Sequence, residues 1–286
     1  MLVTGAAGFI GRRVVRRLRD EGRPVVAVEH RFDDEADLDR VVGRSAVSAC
    51  IHLGWYADPG DYLVDVDGNL RSLRSSCSLV AWLGRRGVGH LVAVGSSAEY
   101  GVSDDAHDEA ECPDPWSIYG AAKAAFHQLL RSSMRPDAMA VAWARVFNVT
   151  GPDEPPERLI PWVTRSLLAG TAVDLSPGAQ VRDYLDVDDV ASALTALSST
   201  RAEGTFNVCS GRGVVLRDLL GGVADRLGRP DLLRFGARPY GDHDPAIVVG
   251  SAARLRAATG WSPVHDTDAM IDRVVSYWRE RTGGPA

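Results

Sequence analysis

Short runs of apolar, often β-branched residues alternate with longer amphipathic stretches through the first half of the chain. The apolar runs predict strands at Leu2–Thr4, Val25–Glu29, Ala49–Leu53, Leu91–Ser96 and Ala140–Phe147. The amphipathic stretches predict helices at Gly11–Glu21, Leu70–Arg86 and Tyr119–Ser133. Strands that alternate with helices are typical of a parallel sheet covered by helices. The pattern therefore predicts an α/β fold built on a doubly wound parallel sheet.

The pattern changes at residues 151–156, where one glycine and three prolines end any strand or helix. The elements expected beyond this break are a helix at Pro161–Ala169, a strand at Tyr184–Val187, a helix at Asp189–Ser199, a strand at Thr205–Val208 and helices near Leu216–Leu227 and Thr267–Arg281. We interpret residues 1–150, with a return segment near 183–210, as one domain that carries the sheet. Residues 151–182 and 211–286 are expected to form a small C-terminal substrate-binding lobe.

Charge and cysteine content narrow the class of protein. The chain has 286 residues and a formal net charge of −6, which argues against a nucleic-acid surface. Its four cysteines lie far apart, so we expect neither a metal site nor a disulfide framework. The sequence has no run of about 18 apolar residues for a membrane span, and its first residues enter a strand without a signal peptide. We expect a cytoplasmic protein without a membrane partner.

A glycine-rich turn joins the first predicted strand to the first predicted helix. Its glycines allow a tight turn in which backbone N–H groups approach a pyrophosphate at the start of the helix. Glu29 ends the next strand, 18 residues after Gly11, where a carboxylate can bind the adenosine ribose hydroxyls. Together these features predict a dinucleotide site, and its expected contacts are Gly5, Ala7, Gly8, Phe9, Ile10, Gly11 and Glu29.

The charge around this turn bears on the choice between NAD and NADP. Glu29 favours NAD(H), because a carboxylate repels the 2′-phosphate of NADP(H). Arg12, Arg13 and Arg31 stand nearby, and each can pair with a phosphate, so NADP(H) stays open. Arg31 is therefore included among the expected cofactor contacts.

Tyr119 and Lys123 place a phenol and an ammonium four residues apart on one face of a predicted helix. A lysine cation beside a tyrosine is expected to lower the pKa of the phenol and prepare it for proton transfer. Lys123 is the single lysine among 32 basic residues, in a chain where an ordinary surface cation is an arginine. Ser96 ends a predicted strand 23 residues before Tyr119, at the edge where sites in parallel sheets open.

With these motifs in place, the chain resembles the extended short-chain dehydrogenase/reductase family, in its NAD-dependent epimerase/dehydratase branch. Beyond the glycine turn and the Tyr119–Lys123 pair, the resemblance covers further ordered segments over nearly the whole length. These are the segments at residues 51–54 (IHLG), 95–101 (GSSAEYG), 145–152 (RVFNVTGP), 180–190 (QVRDYLDVDDV) and 260–263 (GWSP). The resemblance implies a Rossmann-type sheet that binds NAD(P) and acts on a nucleotide-activated sugar.

Carried over residue by residue, the resemblance implies a catalytic triad of Ser96, Tyr119 and Lys123. It adds Leu53, Gly54, Tyr119 and Lys123 to the cofactor contacts. It also implies that the substrate is held by Ser97, Asn148, Arg182 and Arg238. A homodimer formed through the helices near Leu70–Arg86 and Tyr119–Ser133 is a further implication.

Two reactions are open within this family once dehydration is set aside. The 4,6-dehydratases carry an Asp-Glu pair directly after the catalytic Ser or Thr, whereas this chain has Ser97 and Ala98 there. The segment at residues 54–62 differs from the alanine-rich loop usual in epimerases, and Asp65 stands where an Asn is common. We therefore expect a 4-ketoreductase of deoxysugar biosynthesis, with a nucleotide-sugar 4-epimerase as the alternative. A catalytically silent NAD(P)-binding regulator is a distant third, since such proteins typically lose the Tyr or the Lys.

Overall fold

The computed structural model describes residues 1–29, 35–132, 139–241 and 243–283. Its strands are β1 (Leu2–Thr4), β2 (Val26–Val28), β3 (Cys50–His52), β4 (His90–Ser96), β5 (Ala140–Val146), β6 (Asn148–Thr150), β7 (Val173–Leu175), β8 (Val181–Arg182), β9 (Tyr184–Asp186), β10 (Gly204–Val208), β11 (Val214–Val215), β12 (Leu233–Phe235) and β13 (Ile247–Val248). Its helices are α1 (Phe9–Asp20), α2 (Glu35–Val42), α3 (Val66–Arg85), α4 (Ile118–Arg131), α5 (Leu159–Leu168), α6 (Val187–Thr200), α7 (Leu216–Leu227), α8 (Ala253–Thr259) and α9 (Thr267–Thr282).

The main sheet has six strands in the order β10-β5-β4-β3-β1-β2, and all of its pairings are parallel. Neighbouring residues point to opposite faces, so Val3 and Val92 enter one apolar cluster while Leu2 and Leu91 enter the other. Helices α1 and α6 cover the first face, and α2, α3 and α4 cover the second. This arrangement confirms the predicted doubly wound α/β fold.

A third apolar cluster lies outside the sheet. It joins α5, α7 and α9 through residues such as Val163, Val223 and Val274, with β7 and β12 paired beside them. Three short pairings, β6 with β9, β8 with β11 and β8 with β13, connect the segments after Asn148. The division of the chain into two domains stays a prediction.

The predicted elements differ from the observed ones mainly at their ends. The helix expected at Leu70–Arg86 begins four residues earlier, at Val66, because the carboxylate of Asp65 caps it by accepting from the Gly68 N–H at 3.1 Å. The first helix begins at Phe9, directly after the glycine turn. Helices α2 and α8 and the short strands β6, β7, β8, β11, β12 and β13 were not predicted, since none shows a sustained period. In the part of the chain that the structure describes, no helix is long and apolar enough to cross a membrane.

Candidate active site

A cleft of about 1130 Å³ opens at the carboxyl ends of β1, β3 and β4, as expected for a parallel sheet. One end is formed by the turn between β1 and α1. The other end is formed by residues that follow β5, by the segment around β8 and by Gly241, His243, Asp244, Pro245 and Val248. Most of the predicted site residues line this one cleft, namely Gly5, Gly8, Phe9, Ile10, Gly11, Glu29, Leu53, Gly54, Ser96, Ser97, Tyr119, Lys123, Asn148 and Arg182.

The glycine turn is shaped so that a side chain would not fit at two of its positions. Gly5 has φ +67°, and a Cβ there would come within 2.8 Å of the backbone of Leu53 and Gly54. A Cβ on Gly11 would lie 2.0 Å from the carbonyl oxygen of Gly5. The first turn of α1 holds no acidic residue, and Gly8 at its N-cap offers no side chain to cap it. The backbone N–H groups of this turn therefore fit a pyrophosphate.

The groups around Glu29 also fit an adenosine. Glu29 is exposed at the end of β2 and lines both the cleft and a smaller adjoining pocket that Ala7 and Arg12 help to form. Arg13 is engaged elsewhere, since its Nη2 donates to the Pro152 carbonyl at 2.7 Å and pairs with the Asp153 carboxylate at 2.9 Å. Because these contacts occupy Arg13, this arginine is not available to bind the 2′-phosphate of NADP(H). Arg31 lies outside the described residues.

Helix α4 presents the phenol and the ammonium to the cleft. It begins at Ile118, after the Ser117 hydroxyl caps it by accepting from the Gly120 N–H at 3.1 Å. Lys123 donates from Nζ to the carbonyl oxygen of Val94 at 2.7 Å, and Nζ lies 5.8 Å from the centre of the Tyr119 ring. Ser96 lines the same cleft at the end of β4, and its hydroxyl accepts from the Ala98 N–H at 3.1 Å. The structure thus brings together the three residues that the sequence nominated as a catalytic group.

The ionisation of this group differs from the expectation. Burial raises the pKa of Tyr119, and the opposing effects of the Ser96 hydroxyl and Arg158 are smaller. Burial also lowers the pKa of Lys123 to about 7, against a smaller opposing effect of Glu99. The prediction that Lys123 brings the pKa of the phenol down is therefore wrong for the protein alone, because desolvation favours the neutral form of each group. Tyr119 is therefore protonated at neutral pH, whereas Lys123 gains and loses its proton close to neutral pH.

Glu99 stands three residues after Ser96, but its side chain turns away from the cleft. It is fully buried, where one oxygen accepts from the Ser96 N–H at 2.8 Å and the other accepts from Arg145 Nε at 2.9 Å. The indole N–H of Trp143 donates to both oxygens. Ser97 and Ala98, which do line the cleft, carry no acid. The structure thus shows no acid at the two positions that a 4,6-dehydratase uses.

The residues expected to hold the substrate have partners within the protein. Asn148 donates from Nδ2 to the Asp183 carbonyl at 3.1 Å, and Arg182 forms an ion pair with Asp244. Both still line the cleft. Arg238 is exposed at the surface near β12 and is not among the described residues that line the cleft. The roles of these three side chains stay predictions.

Several cleft residues were not identified as functional from the sequence, among them Trp55, Tyr62, Glu154 and Arg158. The Tyr62 ring meets the Tyr119 ring edge-on, with centres 4.9 Å apart, and the Arg158 guanidinium lies 4.8 Å from the centre of the Tyr62 ring. Glu154 accepts from the Thr150 hydroxyl at 2.5 Å, and burial raises its pKa to about 8. Glu154 and Arg158 lie four and eight residues after the end of β6, a strand that the sequence did not predict, so no local pattern marked them.

Comparisons with known proteins show which family and which solved structures this chain is similar to. Residues 1–209 match the model of the NAD dependent epimerase/dehydratase family. A UDP-glucose 4-epimerase of Azospirillum brasilense is 28% identical, over 98% of this chain and 92% of the relative. Among solved structures, MoeE5 in complex with UDP-glucose and NAD is 28% identical with a TM-score of 0.88, over 99% of each chain. The same protein has been solved with UDP-glucuronic acid and NAD, with 28% identity and a TM-score of 0.87, over 98% of this chain and 99% of that one.

A second enzyme shows the same likeness. The UDP-glucose 4-epimerase of Thermus thermophilus, solved in complex with NAD, has a TM-score of 0.88 and 26% identity, over 97% of this chain and 98% of that chain. The similarity therefore extends across both the sheet and the segments that follow it.

Proposed function

This chain belongs to the NAD dependent epimerase/dehydratase family, and we propose that it is a UDP-sugar 4-epimerase. The observation that carries the proposal is the likeness to UDP-glucose 4-epimerases over nearly the full length of both chains. This assignment places the alternative from the sequence ahead of 4-ketoreduction. The structure supports it by lining one cleft with the glycine turn, Glu29 and the Tyr119 group, which we define as Ser96, Tyr119 and Lys123.

NAD(H) is the proposed cofactor, held by the glycine turn between β1 and α1 and by Glu29. When bound, it would supply reversible hydride transfer at C4 of the sugar. Lys123 is suited to contact the nicotinamide ribose, since its ammonium lies at the cleft surface with one N–H already held by Val94. The position of Glu29 at the pocket edge favours a free ribose hydroxyl over a 2′-phosphate.

Proton transfer falls to Tyr119. In the oxidising direction its phenolate accepts the proton of the C4 hydroxyl, and in the reducing direction the phenol gives it back. Because burial raises the pKa of this phenol, the nearby positive charge of Lys123 in its ammonium form is needed to stabilise the phenolate. Ser96 orients the same oxygen through its hydroxyl. The Tyr62 ring packs edge-on against the Tyr119 ring, with centres 4.9 Å apart, and covers one side of it.

The test is a pair of assays on the purified protein. We expect UDP-glucose or UDP-glucuronic acid, the sugars bound by MoeE5, to be converted to the 4-epimer without net change in NADH. Stoichiometric oxidation of NADH or NADPH with dTDP-4-keto-6-deoxyglucose, and no epimerisation, would instead identify a 4-ketoreductase. Binding of NAD without turnover of any of these sugars would leave only a regulator.

A further inference from the structure

The indole ring of Trp55 lies against the ammonium of Lys123, with Nζ 4.0 Å from the ring centre. The same Nζ donates to the Val94 carbonyl at 2.7 Å. An ammonium has three N–H donors. The Val94 carbonyl in β4 accepts from one of these donors, and the Trp55 ring covers another side of the ammonium. The side that remains faces the cleft that Lys123 lines.

The ring itself is anchored. Its Nε1 donates to the side-chain oxygen of Asn69 at 3.0 Å. Asn69 is fully buried in the first turns of α3, and its amide nitrogen donates to the carbonyl oxygens of Tyr62 and Asp65 at 2.7 and 2.8 Å. Trp55 is therefore tied to the start of α3 through one buried amide, and the loop between β3 and α3 is tied to the same amide.

We propose that Trp55 is a positioning residue for Lys123, holding its ammonium between β4 and the cleft so that one donor faces the bound ligands. A cation over an indole face is attracted by the ring quadrupole, and more strongly where water is excluded. The inference rests on the proposed function for the role of Lys123. The inference extends the proposed function by naming Trp55 as the residue that sets the position and charge of Lys123.

Three titratable groups lie near Lys123, namely Glu99, Tyr119 and His52, and they do not position its ammonium as Trp55 does. Glu99 favours the charged form but acts from inside the buried pair with Arg145. Tyr119 presents its ring centre at 5.8 Å. His52 lies behind, with its pKa lowered to about 3 by burial, so its imidazole is neutral. Trp55 is thus the group whose ring face meets the ammonium most closely.

Lys123 can be observed directly, because it is the single lysine of the sequence. In untagged protein labelled with [ε-¹³C]lysine, one NMR resonance reports its titration whether or not the protein turns over a sugar. For wild-type protein we expect a midpoint well below that of a free lysine and an upfield ring-current shift of the Lys123 ε-protons. Trp55→Leu should lower the midpoint by about one pH unit, from the usual strength of a desolvated cation–π contact. Trp55→Phe, which keeps a ring, should lower it less.

Trp82 offers a matched control. Its indole N–H donates to Asp39 at 2.9 Å and the Arg86 guanidinium lies 4.6 Å from its ring centre, so it makes the same two kinds of contact away from the cleft. It packs in the apolar cluster that Trp55 also touches. Trp82→Leu should leave the Lys123 midpoint and the ε-proton shift unchanged, although it lowers stability.

The same variants are assayed for epimerisation against pH. We expect kcat/KM of Trp55→Leu to fall by about tenfold, with its alkaline limb moved to lower pH by the same one unit as the NMR midpoint. An unmoved midpoint in Trp55→Leu, or equal shifts in Trp55→Leu and Trp82→Leu, would overturn the positioning role. If Trp55→Leu does not fold, absence of the ring-current shift in wild-type protein overturns it equally. A moved midpoint in a protein that epimerises no sugar would support the positioning role while removing the proposed function.

Discussion

Two groups of buried polar side chains meet at the carboxyl end of β4, and they are built in opposite ways. The Glu99 cluster, which we define as Glu99, Trp143 and Arg145, joins an acid to a base at 2.9 Å with both side chains almost fully buried. The Tyr119 group holds a phenol and an ammonium without an ion pair to any carboxylate of the described residues, and its pKa values are moved toward the neutral forms.

The difference lies in what compensates burial. In the Glu99 cluster the carboxylate faces the Arg145 guanidinium and accepts from the N–H groups of Ser96 and Trp143, which makes the cluster a structural tie between β4 and β5, although burial still raises the pKa of Glu99. In the Tyr119 group burial is compensated only in part, and the groups open onto the cleft. A charge that is poorly compensated beside a cleft is poised to exchange protons with a ligand. The predictions below test whether the two groups divide structure and chemistry in this way.

The largest expected effect is on turnover. Tyr119→Phe removes the proton carrier and keeps the ring, so we expect kcat to fall by about a thousandfold or more while NAD affinity and thermal stability change little. Steady-state epimerisation and NAD titration of the same preparation measure this. Retention of more than a tenth of the activity would show that another group carries the proton.

The second effect is on stability. Glu99→Gln leaves the Arg145 guanidinium buried without a carboxylate, and we expect a loss of about 3–5 kcal/mol in the free energy of unfolding. Urea denaturation measures it. Asp174→Asn removes the acid of the exposed pair with Arg234 and should cost far less. Equal losses would show that burial does not set the energy of the Glu99 cluster.

The Tyr119 group could be predicted from the sequence, whereas the Glu99 cluster could not, and the reason is physical. Tyr119 and Lys123 are one helical turn apart, and Ser96 ends a strand whose period is plain, so local rules place all three. Glu99 follows Ser96 closely and looks available to a substrate in the sequence alone. Its burial depends on Arg145 and Trp143, more than 40 residues away, on the neighbouring strand.

A third prediction concerns Lys123 and the pH dependence of stability. Its folded pKa of about 7 lies below the unfolded value of 10.5, so the unfolded chain binds more protons between these values and stability rises with pH across that window. Lys123→Met removes this dependence. The variant should therefore be more stable than wild-type protein at pH 6, and the advantage should shrink toward pH 10. A difference in unfolding free energy that stays constant with pH would mean that the lysine is not desolvated.

The direction of the pKa shifts of Tyr119 and Lys123 could not be predicted from the sequence. A YxxxK spacing indicates that a phenol and an ammonium are neighbours, and it predicts a lowered tyrosine pKa. Whether burial outweighs that attraction depends on what covers the pair. Trp55 and Tyr62, more than 50 residues earlier in the chain, cover it here.

A further pH-dependent effect on stability is expected at Glu154. Its pKa of about 8 lies above the ordinary value of 4.5, so the unfolded chain binds fewer protons between them and stability falls as pH rises across that window. Glu154→Gln mimics the protonated acid and should match wild-type stability near pH 4.5, then exceed it progressively up to pH 8. Thermal denaturation of both proteins across this range measures it. Parallel curves would place the carboxyl in contact with water.

Similar limits apply to the substrate end of the cleft. The Arg182 position followed from the resemblance, but its pairing with Asp244, 62 residues later, did not, because no local pattern links β8 to the segment before β13. Arg238 was nominated in the same way and lies on the surface. Loops that meet only in the fold thus decide which arginines face a ligand.

The most direct test follows the hydrogen at C4. UDP-glucose carrying deuterium at C4 is incubated with the protein and a catalytic amount of NAD, and the products are analysed by NMR and mass spectrometry. The account predicts UDP-galactose that keeps deuterium at C4, with no accumulation of NADH. Deuterium that accumulates in the reduced cofactor as NADD, or solvent hydrogen found at C4, would contradict the epimerase assignment.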